Sequence, residues 1–239
     1  MAPRPGTKHA AKLFKETNVE VWATALRNYG RAVVAKAETL SDVKKKDILV
    51  ENDSWWTSRF PDTIQKRGFV TKEEIVRVME WKLSVGKWRP LLNRLTQQNT
   101  PDSIETVSKE AFTNAKKGSV KDAVMSLSKL SAVGPATASA LLAAFMPERF
   151  AFMADETLEA ILGKREYTLK AYLHYNETLQ SHASELEMCV EDGRRAMWAC
   201  AVLGFDVATS EQEFVQSTKR KRNEIPKNGK RKKLCSRCL

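Results

Sequence analysis

Apolar residues recur along this chain at three- and four-residue intervals, almost always just after a residue able to cap a helix. Asn18 precedes Val19, Trp22, Leu26, Tyr29 and Val33, which fall on one helical face. Thr71-Lys72-Glu73-Glu74 has the form of a capping box and launches Ile75, Val78, Met79 and Leu83. Thr100-Pro101-Asp102 starts a helix through Ile104, Val107 and Phe112 that stops at Lys116-Lys117-Gly118. A short helix is expected over 41–50, and Trp55, Trp56 and Phe60 supply bulky packing before Pro61, where a turn is expected. Further helices are expected from Asp155 to Gly163, from about Thr168 to Met188 and from about Asp192 to Leu203, with Gly204 as C-cap. Strand-like alternation is almost absent, so the pattern predicts an all-α orthogonal bundle.

The most informative stretch runs from Ser119 to Leu162. Val124, Leu127 and Leu130 form one short apolar helix face, Ser131-Ala132-Val133-Gly134 makes a turn, and Pro135 opens a second helix through Ala138, Leu141 and Leu142. Glycine at 134 permits a tight turn, and the helix start after it offers amide groups and partial positive charge to a phosphate. Phe150-x-Phe152-x-x-Asp155 follows, with Asp155 placed 19 positions after Ala136.

This segment resembles the helix-hairpin-helix DNA glycosylases, the HhH-GPD superfamily. The resemblance implies a two-lobed helical bundle with a cleft between the lobes, a hairpin that grips a DNA phosphate through Ala132, Val133, Gly134, Ala136 and Thr137, and Asp155 at the glycosidic bond of a flipped nucleotide. Ala136 stands where bifunctional members carry a nucleophilic lysine, which points to the monofunctional, water-using branch. Ala132 replaces the first of the hairpin's usual glycines, and its methyl group is tolerated if that residue keeps φ negative. No cofactor is implied beyond a monovalent cation at the hairpin.

On local grounds Asp155 is also a helix N-cap, a role that stabilises a helix by about 0.5–2 kcal/mol without any catalysis. In the catalytic role its carboxylate would stabilise oxocarbenium-like charge at C1′ and orient or deprotonate water, after the base has left the stack. Glu156 is a candidate for positioning water, or simply favourable charge in the first turn of a helix.

The block from Trp81 to Pro90 holds Lys82, Lys87 and Arg89 with Trp81 and Trp88 around one turn, and resembles a block in uncharacterised eukaryotic members of the same superfamily. In one reading the cations meet phosphates and an indole stacks on a base. In the other the tryptophans fill the core and the cations cap helix ends in solvent.

Composition adjusts this picture at its ends. The chain of 239 residues carries a net charge of +11, but residues 219–239 hold ten Lys or Arg against Glu224 alone. The other 218 residues have 30 basic and 28 acidic groups, so bulk charge says little about DNA binding by the folded body. Lys219-Arg220-Lys221-Arg222 and Lys230-Arg231-Lys232-Lys233 resemble a bipartite nuclear localisation signal read by an import receptor; a solvated tail and a salt-sensitive DNA-binding arm are the other readings. No apolar run reaches membrane-spanning length and the first residues lack a signal-peptide core, so an intracellular protein without membrane association is expected.

Cys189, Cys200, Cys235 and Cys238 suit a reducing compartment. The Cys235-x-x-Cys238 pair is half of a zinc site, the histidines His9, His174 and His182 are scattered, and no metal is expected.

The expected organisation is a loose basic leader over 1–17, an HhH-GPD-like domain over 18–210 with its central lobe at about 71–163, and a disordered basic tail over 211–239. The expected function is that of a nuclear, monomeric, monofunctional DNA glycosylase acting on a damaged or mismatched base. The alternatives are a catalytically inactive DNA-binding protein on the same fold, or a helical scaffold for protein partners.

Overall fold

The computed structural model describes residues 5–86 and 89–204. Among them are thirteen helices and no strand, so the protein is all-α. In order they are α1 (Pro5–Leu13), α2 (Val19–Arg27), α3 (Tyr29–Glu38), α4 (Val43–Thr57), α5 (Arg59–Arg67), α6 (Lys72–Val85), α7 (Pro90–Thr96), α8 (Pro101–Lys116), α9 (Val120–Leu127), α10 (Pro135–Phe145), α11 (Asp155–Leu162), α12 (Leu169–Glu185) and α13 (Val190–Leu203).

Local chemistry explains most of the boundaries. The box at the start of α6 closes as expected: the Thr71 hydroxyl accepts from the Glu74 amide at 3.3 Å, and the Glu74 carboxylate accepts from the Thr71 amide at 2.8 Å. Thr100 caps α8 through the Ser103 amide, with Pro101 in its first position. Gly163 and Gly204 end α11 and α13 in left-handed conformations, where a side chain would be strained.

Two groups of helices share one continuous apolar core. Helices α1, α2, α3, α11 and α12 pack around α13, while α5, α6, α8 and α9 pack on α10. In the second group Phe112 of α8 stacks on Phe145 of α10, with ring centroids 3.8 Å apart and planes 4° from parallel. Helix α11, expected within the central lobe, packs instead on α1, α12 and α13.

Four sequence expectations need correction here. Residues 5–13 are helix α1, not a loose leader, and Ala10 and Leu13 are fully buried. Gly6 explains how closely this helix docks: a methyl group there would sit 2.3 Å from the Ala201 carbonyl oxygen of α13. The helix expected over 41–50 runs to Thr57 and carries Trp55 and Trp56, and Pro61 lies in the first turn of α5, where a missing N–H costs nothing. Finally, the helix expected from Val19 through Val33 breaks at Asn28 into α2 and α3, and α2 buries Val21 and Ala25 beside Trp22 while leaving Val19 exposed.

Candidate functional site

The turn between α9 and α10 is where sequence and structure meet most closely. Gly134 is the N-cap of α10 and Pro135 its first residue; the Gly134 carbonyl accepts from the Thr137 and Ala138 amides at 2.9 Å each. Pro135 has no N–H, and the Gly134 and Ala136 amides lie at the end of the helix that carries its partial positive charge. The left-handed residue of the turn is Ala132, with φ of 63°, so the negative φ under which its methyl group is tolerated is not met. Gly134 has a negative φ, and no atom lies within 4 Å of where a methyl group would stand.

A side chain remote in sequence holds the turn in this shape. The Asn99 amide oxygen accepts from the Ser131 N–H at 2.8 Å, and its nitrogen donates to the Ser131 carbonyl at 3.1 Å. Both bonds fix the residue just before Ala132, so tertiary contact imposes the conformation that an alanine resists.

Asp155 lies at the first position of α11, with Ala154 as the cap, one place inside the N-cap position its local sequence suggests. Its Oδ1 accepts from the Tyr167 hydroxyl at 2.6 Å, and its Oδ2 lies 3.5 Å from Arg165 Nη1. Arg165 also donates from Nε to Glu159 at 2.9 Å, so its guanidinium is braced between two carboxylates of one helix.

The segment leading into Asp155 has no ladder of its own and is pinned by buried side chains from three helices. The Ala151 amide donates to Asn176 at 2.9 Å, the Phe152 amide to Glu191 at 2.9 Å and the Met153 amide to the Ser139 hydroxyl at 3.0 Å. Tyr175 donates to the Phe152 carbonyl at 3.0 Å and lies 2.9 Å from the Thr157 hydroxyl. Burial first, with the Glu191 charge adding to it, pushes the Tyr175 hydroxyl well above its usual range, so it stays protonated as a donor.

These elements enclose one cavity of about 480 Å³, within the range of sites that take a small molecule. Ala132, Gly134, Ala136 and Thr137 line it from the hairpin, and Asp155, Glu156, Arg165 and Tyr167 from α11 and the loop after it. Lys82 and Arg89 enter from α6 and the connection to α7, and Phe152 forms part of the floor.

Lys82 reaches across to the hairpin, its Nζ donating to Thr137 Oγ1 at 2.9 Å. Burial first, and then the nearby Arg89 charge, lower the Lys82 ammonium to about 8, against the opposing pull of Asp155.

The site residues expected from sequence thus divide. Eight of them share the cavity: Lys82, Arg89, Ala132, Gly134, Ala136, Thr137, Asp155 and Glu156. Val133 is buried under the turn and does not line it. Trp81 is a core residue and not part of a base pocket: it is fully buried, stacks on Trp56 at 4.1 Å and donates its indole N–H to Asp53 at 3.0 Å. Burial raises the Asp53 carboxyl, and the Tyr29 hydroxyl donates to it as well, at 2.8 Å. Trp81 reaches the cavity only indirectly, by supporting Phe152 at 5.0 Å between rings.

Lys87, Trp88, the two basic clusters at 219–222 and 230–233, and Cys235 and Cys238 lie outside the described residues. Sequence reasoning missed Arg165, Tyr167 and Asn99. Arg165 and Tyr167 follow Asp155 by ten and twelve positions across a glycine, which is the only local signal they carry.

Among the described residues, no three His, Cys, Asp or Glu side chains gather as metal ligands, and no helix is long and apolar enough to cross a membrane. Comparison with family models, with curated proteins and with solved structures found no match to this chain.

Proposed function

We propose that this protein is a DNA glycosylase-like enzyme of the helix-hairpin-helix type, hydrolysing the N-glycosidic bond of a damaged or mismatched base flipped out of DNA. The observation that carries this reading is the meeting of the hairpin and Asp155 in the lining of one cavity. In this reading the Gly134 and Ala136 amides receive a backbone phosphate at the start of α10, and turn carbonyls hold a monovalent cation. The everted nucleotide enters between two lobes, the α10 group and the α13 group, and its sugar comes to rest beside Asp155.

The chemistry follows from how Asp155 is held. Departure of the base leaves oxocarbenium-like charge on the sugar, which a carboxylate stabilises most when it is already oriented. Tyr167 fixes one oxygen and Arg165 approaches the other, while the pinned segment 151–153 fixes the backbone behind them. Glu156, one residue on, holds or orients the water. The basic segment at 219–239 supplies nuclear import and salt-dependent affinity for DNA.

A second reading has its own support: the Arg165 guanidinium beside Asp155 reduces the negative charge available to the sugar, as suits a protein that binds everted DNA without cutting it. The same experiment separates the two. The full-length protein is incubated with duplexes carrying a panel of modified and mismatched bases, beside Asp155→Asn. Base release by the wild type, lost by at least about 10²-fold in the variant, supports the enzyme. Tight binding without release supports the second reading, and no binding at low salt would leave the helical scaffold.

A further inference from the structure

Helix α6 sends into the cavity a cation that the protein itself does not pair. Lys82 Nζ donates to Thr137 Oγ1 at 2.9 Å, and among the described residues this is its only hydrogen bond, with no carboxylate at ion-pair distance. An ammonium has three N–H donors, so two are left over. Thr137 is 1% exposed, and among the described residues no acceptor meets the hydrogen of its hydroxyl. Arg89 lines the same cavity, and its charge adds to burial in working against that of Lys82, while the pull of Asp155 is the weakest of the three influences. Two like charges beside a cavity, one of them half-buried, carry a cost that an anion between them would remove.

We infer that this part of the lining is a binding site for a phosphomonoester, held by Lys82, Arg89 and the Thr137 hydroxyl. The count of groups favours a terminal phosphate over one embedded in a strand. A monoester carries about 1.5–2 negative charges near neutral pH and three terminal oxygens, which match two cations and three donor groups. A phosphodiester has a single charge and two such oxygens, and would leave one cation unmatched. Asp155 and Glu156 repel a phosphate from the rest of the lining, and Arg165 is already held by Glu159 and Asp155, so Lys82 and Arg89 are where it settles. At about 480 Å³ the cavity also has room for the nucleoside attached to it.

The proposal goes beyond the excision reading and does not rest on it, since it needs neither base release nor a grip of the turn amides on a duplex. Two sources supply the chemistry: a free nucleoside monophosphate, and a phosphorylated end at a break in DNA.

The test titrates the full-length protein with 2′-deoxyadenosine 5′-monophosphate beside 2′-deoxyadenosine, and with a gapped duplex whose gap carries a 5′-phosphate beside one with a 5′-hydroxyl. The phosphate should tighten binding by at least about tenfold in one pair or in both, as hydrogen bonds between charged groups do, and the pair affected identifies the source. Lys82→Met and Arg89→Gln should each abolish that preference. Lys129→Gln, at a surface lysine paired with Glu110, should keep it in full. Lys82→Met removes a charge that has no carboxylate partner, so its melting temperature should equal or exceed that of the wild type. Arg89 is exposed, so Arg89→Gln gives the same test without touching the interior.

The preference should also have a pH window. A phosphomonoester gains its second charge near about pH 6, and Lys82 loses its charge as the pH rises past about 8, so the preference weakens on both sides of that interval. Lys82→Arg should keep part of the preference and lose only the alkaline fall, because a guanidinium stays charged.

No gain from the phosphate in either pair, or a preference that survives Lys82→Met or Arg89→Gln, would overturn the proposal. Base release from the lesion panel without a preference for the phosphate would end this site alone. The preference in a protein that releases no base would end the excision reading and leave the site standing.

Discussion

Two carboxylate–arginine pairs flank the same stretch of backbone, and their surroundings give them opposite work. Behind it, Glu191 and Arg194 are sealed at 0% and 1% side-chain exposure, with Arg194 Nε donating to Glu191 at 3.0 Å. In front, Asp155 and Arg165 keep 21% and 22% of their surface, and their closest atoms are 3.5 Å apart. Burial works against the Arg194 charge, but Glu191, together with Tyr29 and Tyr175, more than offsets it and holds the guanidinium protonated. The second oxygen of Glu191 is then available to the Phe152 amide. The rear pair therefore fixes the backbone, whereas the front pair leaves a carboxylate within reach of solvent and ligand.

The comparison predicts separable losses, the largest at the rear. Glu191→Gln leaves Arg194 charged, buried and uncompensated, which should cost about 3–5 kcal/mol of stability in a urea unfolding series. A loss below about 1 kcal/mol would mean that the segment before Asp155 is held by other contacts. Asp155→Asn should do the reverse. Its pair reaches solvent, so unfolding should shift by no more than about 1 kcal/mol, while base release falls by at least about 10²-fold. A fold that collapses with Asp155→Asn would erase the distinction between the two pairs.

Gly6→Ala tests the rear from another side. Its methyl group would meet the Ala201 carbonyl oxygen at 2.3 Å, and backbone cannot swing aside as a side chain can. Helix α1 would have to lift from α13 and from α11, which begins at Asp155. The expected cost is about 1–3 kcal/mol, read as a lower melting temperature. An unchanged melting temperature would mean that α1 contributes nothing to the folded state.

How much of this was legible in the sequence follows the range of the interactions. The Thr71–Glu74 box, the Thr100 cap, the buried face of α6 and the glycine stops at 163 and 204 are local, and the sequence predicts each of them. The hairpin and Asp155 could be singled out together because their spacing is short. Helix α1 was hidden by Pro5 and Gly6, which read as breakers until α13 is present to receive a bare glycine.

The pins on residues 151–153 were hidden for a different reason. Ser139, Asn176 and Glu191 lie 14 to 39 positions away from the amides they hold, and none differs locally from an ordinary helix residue. The block around Trp81 divides between its two readings: the indole fills the core against Trp56, while Lys82 and Arg89 line the cavity.

The smallest effects belong to the front wall, and they separate shape from function most finely. Ala132 holds a left-handed φ of 63°, which disfavours an L-residue by about 1–2 kcal/mol. Ala132→Gly removes that strain but adds freedom to the unfolded chain, so a net gain under about 1 kcal/mol is expected. Gly134→Ala meets neither strain nor contact, because φ there is negative and the space around it is open. It should leave the melting temperature unchanged or slightly raised, by well under about 1 kcal/mol. The new methyl group would stand at the start of α10, where the proposed function has a phosphate approach the amides, so on that proposal duplex affinity should fall several-fold at low salt. If Gly134→Ala binds duplex as well as the wild type, the proposed contact between a phosphate and the amides at the start of α10 is ruled out.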